Sequence, residues 1–112
     1  MKEKGLKILE RNWKCKIGEL DIVAAEAKGI LGKIKTLIFV EVKSGGNARP
    51  AYAPEQHVNF AKQQKLIRLA QAYLKYKKIS TEIPWRIDVV AIDINEQTNF
   101  CDIRHYENAV WG

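Results

Sequence analysis

Thr36-Leu37-Ile38-Phe39-Val40-Glu41-Val42-Lys43 is the run on which the fold turns. It is rich in β-branched and aromatic residues and stays apolar until its end, the pattern of a central strand buried on both faces. Side chains alternate across a strand, so Glu41 and Lys43 leave on one face, and Val40 and Val42 on the other. An acid and a base therefore emerge together where the apolar run stops.

Upstream, Glu19 to Glu26 predicts a second strand, tied to the first run by a short connection containing Gly29 and Gly32, hence an antiparallel hairpin. Glu19 and Asp21 are expected on one face of it, with Leu20 and Ile22 opposite. Leu6 to Cys15, carrying Ile8 and Trp13, predicts a further strand, closed by a turn at Ile17-Gly18. Downstream, Ser44-Gly45-Gly46-Asn47-Ala48-Arg49-Pro50, with Pro54 beyond, predicts a loop of roughly a dozen residues, long enough to serve in binding. A helix follows from about Asn59, its expected N-cap, to about Lys77. Phe60, Leu66, Ile67, Ala70, Tyr73 and Leu74 fall within one arc of roughly 140°, while Lys65, Arg68 and Lys75 lie opposite. Ile83-Pro84 breaks the chain, Trp85 to about Ile94 predicts a buried strand, Asn95 to Asn99 a turn, and Phe100 to Tyr106 an edge strand. This order is that of an α/β domain with a mixed sheet, not of a doubly wound one.

The 112 residues suit one domain, and a chain 46% hydrophobic and 29% charged can fill a core. No apolar run approaches the roughly 20 residues of a membrane span, and Met1-Lys2-Glu3-Lys4-Gly5 lacks the apolar stretch of a signal peptide, so a soluble cytoplasmic protein is expected. Cys15 and Cys101 are too few for a disulfide framework and sit in no ligand cluster; both are expected reduced. His57 and His105 have no ligating neighbours at suitable spacing, which favours structural or surface roles. The formal charge of +6 equals the six basic residues between Gln56 and Thr81 (Lys62, Lys65, Arg68, Lys75, Lys77 and Lys78), a segment without any acid. That concentration points to a polyanion such as nucleic acid, although solvated lysines on a helix need no partner.

If the second and third strands pair, Asp21 comes near Glu41, and Glu19, Asp21, Glu41 and Lys43 could converge. Carboxylates held together raise one another's pKa unless a cation neutralises them, and Mg²⁺ or Mn²⁺ prefers such hard oxygen ligands with water in the remaining positions. A lysine beside the ion can orient or deprotonate a water, or offset charge on a phosphate. Taken alone, Glu-x-Lys at a strand end is more often a solvated ion pair.

Gly18-Glu19-Leu20-Asp21-Ile22-Val23, then Phe39-Val40-Glu41-Val42-Lys43, the helix near Lys62-Gln63, Arg86-Ile87-Asp88-Val89-Val90 and Glu107-Asn108-Ala109 together resemble the bacterial YraN-like proteins, over nearly the whole chain and in order. These are regarded as endonucleases of the PD-(D/E)xK superfamily, related to Holliday junction resolvases. The resemblance implies a restriction-endonuclease-like fold, a mixed central sheet flanked by helices, and cleavage of branched or single-stranded DNA with Mg²⁺ or Mn²⁺. It implies Asp21 as metal-binding aspartate, Glu41 as second carboxylate, Lys43 as catalytic lysine, and Glu19 as a ligand or a group supporting one. Related resolvases often act as homodimers, which makes a homodimer an expectation here. Two departures stand out. The family's usual first helix, carrying a Gly-Glu pair before the Leu6–Leu9 region, is expected to be absent, and Ser44-Gly45 replaces a position that is commonly basic.

Lys62, Gln63, Lys65, Arg68 and Arg49 are the candidate nucleic-acid contacts, with Gln63 alternatively a wet first-turn residue. Asp88, one residue from Arg86 on an apolar strand, is expected in a structural ion pair, since an unpartnered buried carboxylate is expensive. Trp13, Tyr73 and Trp85 are expected in the core, and Trp111 over an edge or interface. The rival functions are a nucleic-acid-binding module of the same fold without catalysis, and an interaction domain that dimerises through an apolar edge.

Overall fold

Apolar patterning resolves into five strands and one helix in the computed structural model, which describes residues 6–28, 33–46 and 60–110. The elements are β1 (Leu6–Lys14), β2 (Glu19–Lys28), β3 (Lys33–Gly46), α1 (Phe60–Tyr76), β4 (Trp85–Ile94) and β5 (Cys101–Val110). They build one sheet in the order β1-β2-β3-β4-β5. The β1, β2 and β3 strands are mutually antiparallel, as the short connections require. Only β3 and β4 run parallel, with Phe39 opposite Ile87, and α1 is the crossover between them. Antiparallel β5 completes a mixed sheet.

The central run explains the two apolar layers. Leu37 and Phe39 turn toward α1 and pack with Leu20, Val23, Ala25 and Ile87 against Leu66, Ile67, Leu69, Ala70 and Tyr73. Ile38 and Val40 turn the other way, into a cluster with Leu6, Ala24 and Val90, flanked by Ile22, Val42 and Ile92. Phe39 is 1% exposed, and such a side chain contributes about 1.5–3 kcal/mol by leaving water. Its ring meets Tyr73 at 5.7 Å and Trp85 at 5.8 Å edge-on, while Trp13 meets Tyr73 at 5.3 Å, so the aromatic residues expected in the core fasten the helix to the sheet.

Three expectations are corrected. Ser44-Gly45-Gly46 continues β3 instead of opening a loop, because parallel pairing with Ile92, Asp93 and Ile94 carries the ladder past Lys43. Phe60 is 74% exposed, outside the core, and Leu69 takes a core position instead. The last strand begins at Cys101 and runs to Val110, beyond Tyr106. Asn47 to Asn59 lies outside the described residues, and so do His57, Arg49 and Trp111. Among the described residues no helix is long and apolar enough to cross a membrane, and Cys15 and Cys101 are free thiols.

Candidate functional site

The β2–β3 pairing runs to Ile22 opposite Val40, and Asp21 and Glu41 are the residues that follow just beyond its end. Regular alternation fails just there. Leu20 packs on the α1 side whereas Ile22 joins the opposite cluster, which corrects the expectation that both lie on one face opposite Glu19 and Asp21. The register of β1 with β2 sets Asn12 across from Asp21, and Asn12 is left-handed at φ 53°, a conformation that Asn tolerates better than most residues. Leu20, next to Asp21, is the residue that departs from alternation. Asp21 Oδ2 accepts the Val42 N–H at 2.8 Å, standing in for a strand carbonyl. Asp21 is thereby tied to the residue between Glu41 and Lys43, and with Arg11, Asn12, Ile22 and Val42 it lines a shallow pocket of about 370 Å³.

Glu41 is half-buried on the α1 side, where Lys62 Nζ lies 3.1 Å from its Oε1. Strand β3, strand β2 and the first turns of α1 therefore meet at one end of the sheet. Lys43, also half-buried, follows Glu41 on the same face by alternation. Glu19 stands apart, exposed and 3.9 Å from Lys14 across the β1–β2 pair. The expected convergence of three carboxylates does not form: among the described residues, no group of three or more His, Cys, Asp or Glu side chains could hold a metal ion. Of these acids, Asp21 accepts the Val42 N–H and Glu41 pairs with Lys62.

Along α1, Lys65 and Arg68 are exposed and Gln63 is half-buried. Lys65 lies over the β1–β2 turn: a Cβ on Gly18 would come within 2.9 Å of Lys65 Cε. Gly18 has φ +158°, a backbone state that side chains disfavour, so the glycine serves both the turn and the passage of the lysine stem. Further along, Lys77 pairs with Glu10 of β1 at 2.5 Å, which raises the ammonium pKa above its ordinary value.

A second polar cluster sits on β4 and β5. Asp88 is fully buried and its carboxylate accepts from Arg86 Nε at 3.0 Å and Nη2 at 3.3 Å, meets His105 Nε2 at 2.7 Å, and accepts the Asn108 N–H at 2.8 Å. The structural ion pair expected with Arg86 is present. His105 and Asn108 were not legible as its partners, because they approach only when β5 pairs with β4, where the register shifts between Ile87 and Val89 and Asn108 turns to φ 50°. The guanidinium, the imidazole and the Asn108 N–H around it make the buried charge tenable.

Comparison with known proteins adds the following. Residues 1–92 match the profile described as "Uncharacterised protein family UPF0102". A UPF0102 protein of Desulforamulus reducens is 41% identical, over 95% of this chain and 81% of its own length. One from Roseiflexus castenholzii is 37% identical, over 96% and 80%. Another, from Fervidobacterium nodosum, is 41% identical over 99% of this chain and 73% of its own.

Proposed function

We propose, from the premise that this chain belongs to the uncharacterised protein family UPF0102, that it is a metal-dependent nuclease acting on phosphodiester bonds of branched or single-stranded DNA. The observation that carries the reading is the tie between Asp21 and Val42, which brings a carboxylate of β2 to the residue separating Glu41 from Lys43. Two carboxylates from neighbouring strands suit Mg²⁺ or Mn²⁺, which take one or two protein carboxylates and fill their remaining positions with water and phosphate oxygens. Asp21 and Glu41 are the residues that would hold the ion, which when bound supplies a Lewis acid and an acidified water.

The chain's own groups do the rest. Lys43, on the face of Glu41, orients the attacking water and offsets charge developing on the phosphate. Lys62 neutralises Glu41 and is placed to move onto a phosphate oxygen once Glu41 is engaged elsewhere. Lys65 and Arg68, exposed on a helix whose first turn holds no acid, draw in the polyanion. The test is cleavage of branched, flapped and single-stranded DNA with Mn²⁺ by purified protein and by Lys43→Ala. Loss of cleavage in the variant is expected; cleavage that survives it removes the mechanism.

A second reading is favoured by the absence of a three-donor group among the described residues and by the Lys62–Glu41 pair: a nucleic-acid-binding module that does not cleave. Calorimetry separates the two. No heat with Mn²⁺, together with DNA binding that weakens steeply with salt, supports the binding module.

A further inference from the structure

Strand β5 lies at one edge of the five-stranded order, and the ladder to β4 determines which of its backbone groups face outward. Asn95 N–H donates to Phe100 C=O at 2.8 Å, so Asn95 and Phe100 form a hydrogen-bonded pair. Such pairs alternate with non-bonded ones along an antiparallel ladder. Over the register Asp93 with Asp102, Ile92 with Ile103 and Ala91 with Arg104, the N–H and C=O of Asp102 and Arg104 point to β4, and those of Ile103 point away from it.

The same edge is apolar and charged in a particular order. Ile103 is 65% exposed, with Phe100 at 76% and Ile94 at 43% beside it. Ile103 stands between Asp102, whose side chain is 70% exposed, and Arg104, whose guanidinium lies 3.4 Å from Asp102 and also pairs with Asp93 of its own chain. We infer that β5 pairs antiparallel with β5 of a second copy of this chain, about a two-fold axis through Ile103. In that register the outward N–H and C=O of Ile103 bond reciprocally to those of the other Ile103. Asp102 then faces Arg104 of the partner subunit as a non-hydrogen-bonded pair, about 4.5 Å between Cα atoms, where opposite charges attract most effectively. Parallel in-register pairing would set like against like at both positions. The dipeptide order around Ile103 is thus self-complementary only for a closed two-fold contact, the commonest form of homo-oligomer. This inference does not depend on the proposed nuclease reaction.

Sedimentation equilibrium across a broad concentration range tests it. The 12.8 kDa chain is expected to reach twice that mass. Ile103→Pro removes the outward donor and no bond to β4, and is expected to leave a monomer. Asp102→Lys sets two cations against each other twice per dimer and is expected to raise the dissociation constant about tenfold or more. Far-UV circular dichroism checks folding, and if Ile103→Pro fails to fold, Asp102→Lys decides alone. A wild-type chain of single mass at every concentration, or a dimer indifferent to the substitutions that fold, overturns the inference.

Discussion

Removing the Asp88 carboxylate tests the account of the β4–β5 cluster most directly. Asp88 is fully buried, while the side chains of Arg86 and His105 are 25% and 12% exposed, so its three side-chain contacts are largely withdrawn from water. Asp88→Ala takes the buried carboxylate from Arg86, which keeps Glu107 at 3.8 Å, from His105 and from the Asn108 N–H, and breaking such a buried set by taking away one partner costs about 3–5 kcal/mol. For a domain of this size each kcal/mol lowers Tm by about 4 °C, giving a drop of about 12–20 °C. Urea denaturation followed by far-UV circular dichroism should show the midpoint falling with the slope unchanged. Arg86→Met should cost less, about 1–2 kcal/mol, because Asp88 keeps His105 and Asn108 and the guanidinium was partly hydrated. A loss below about 1 kcal/mol for Asp88→Ala, or an Arg86→Met variant as damaged as Asp88→Ala, would refute the reasoning.

Three further outcomes are expected. Burial raises the Tyr73 phenol, with Glu10 adding to it, and the hydrogen bond to Glu10 raises Lys77, so both hold their protons more tightly folded than unfolded. The stability they contribute is present below about pH 10 and is lost as pH climbs through the raised values; Tm measured from neutral to alkaline pH should fall less steeply in Tyr73→Phe. Gly18→Ala should cost about 1–3 kcal/mol through backbone strain, and adding Lys65→Ala should not restore it; restoration would make the close approach to Lys65, and not φ, the cause. Phe39→Ala should lose about 3–5 kcal/mol in urea titrations while Phe60→Ala changes little, and equal losses would contradict the packing of α1.

The legible parts of this molecule are those governed by neighbours in sequence. Unbroken apolar character from Leu37 to Val40 marks a strand covered on both sides, and the two clusters divide along its alternating side chains. The arc from Leu66 to Tyr73 marks the buried face of α1. Arg86 and Asp88, two apart on one strand, pair as their spacing allows. The end of β3 is not legible in sequence, because glycines suggest a break and only the parallel partner β4 shows that the ladder continues.

The candidate site is a different matter. Glu41 and Lys43 share a face by alternation alone, but the chain beside Asp21 departs from alternation at Leu20, near the left-handed Asn12 of the neighbouring strand. The bond of Asp21 to Val42 spans 21 positions, and the contact of Lys62 with Glu41 needs the crossover helix to come down over β3. Composition and periodicity describe which residues can be covered and in what local geometry, since those depend on bonds between successive residues. Which acid meets which base depends on strand register and helix placement, and these follow from the packing of the whole sheet.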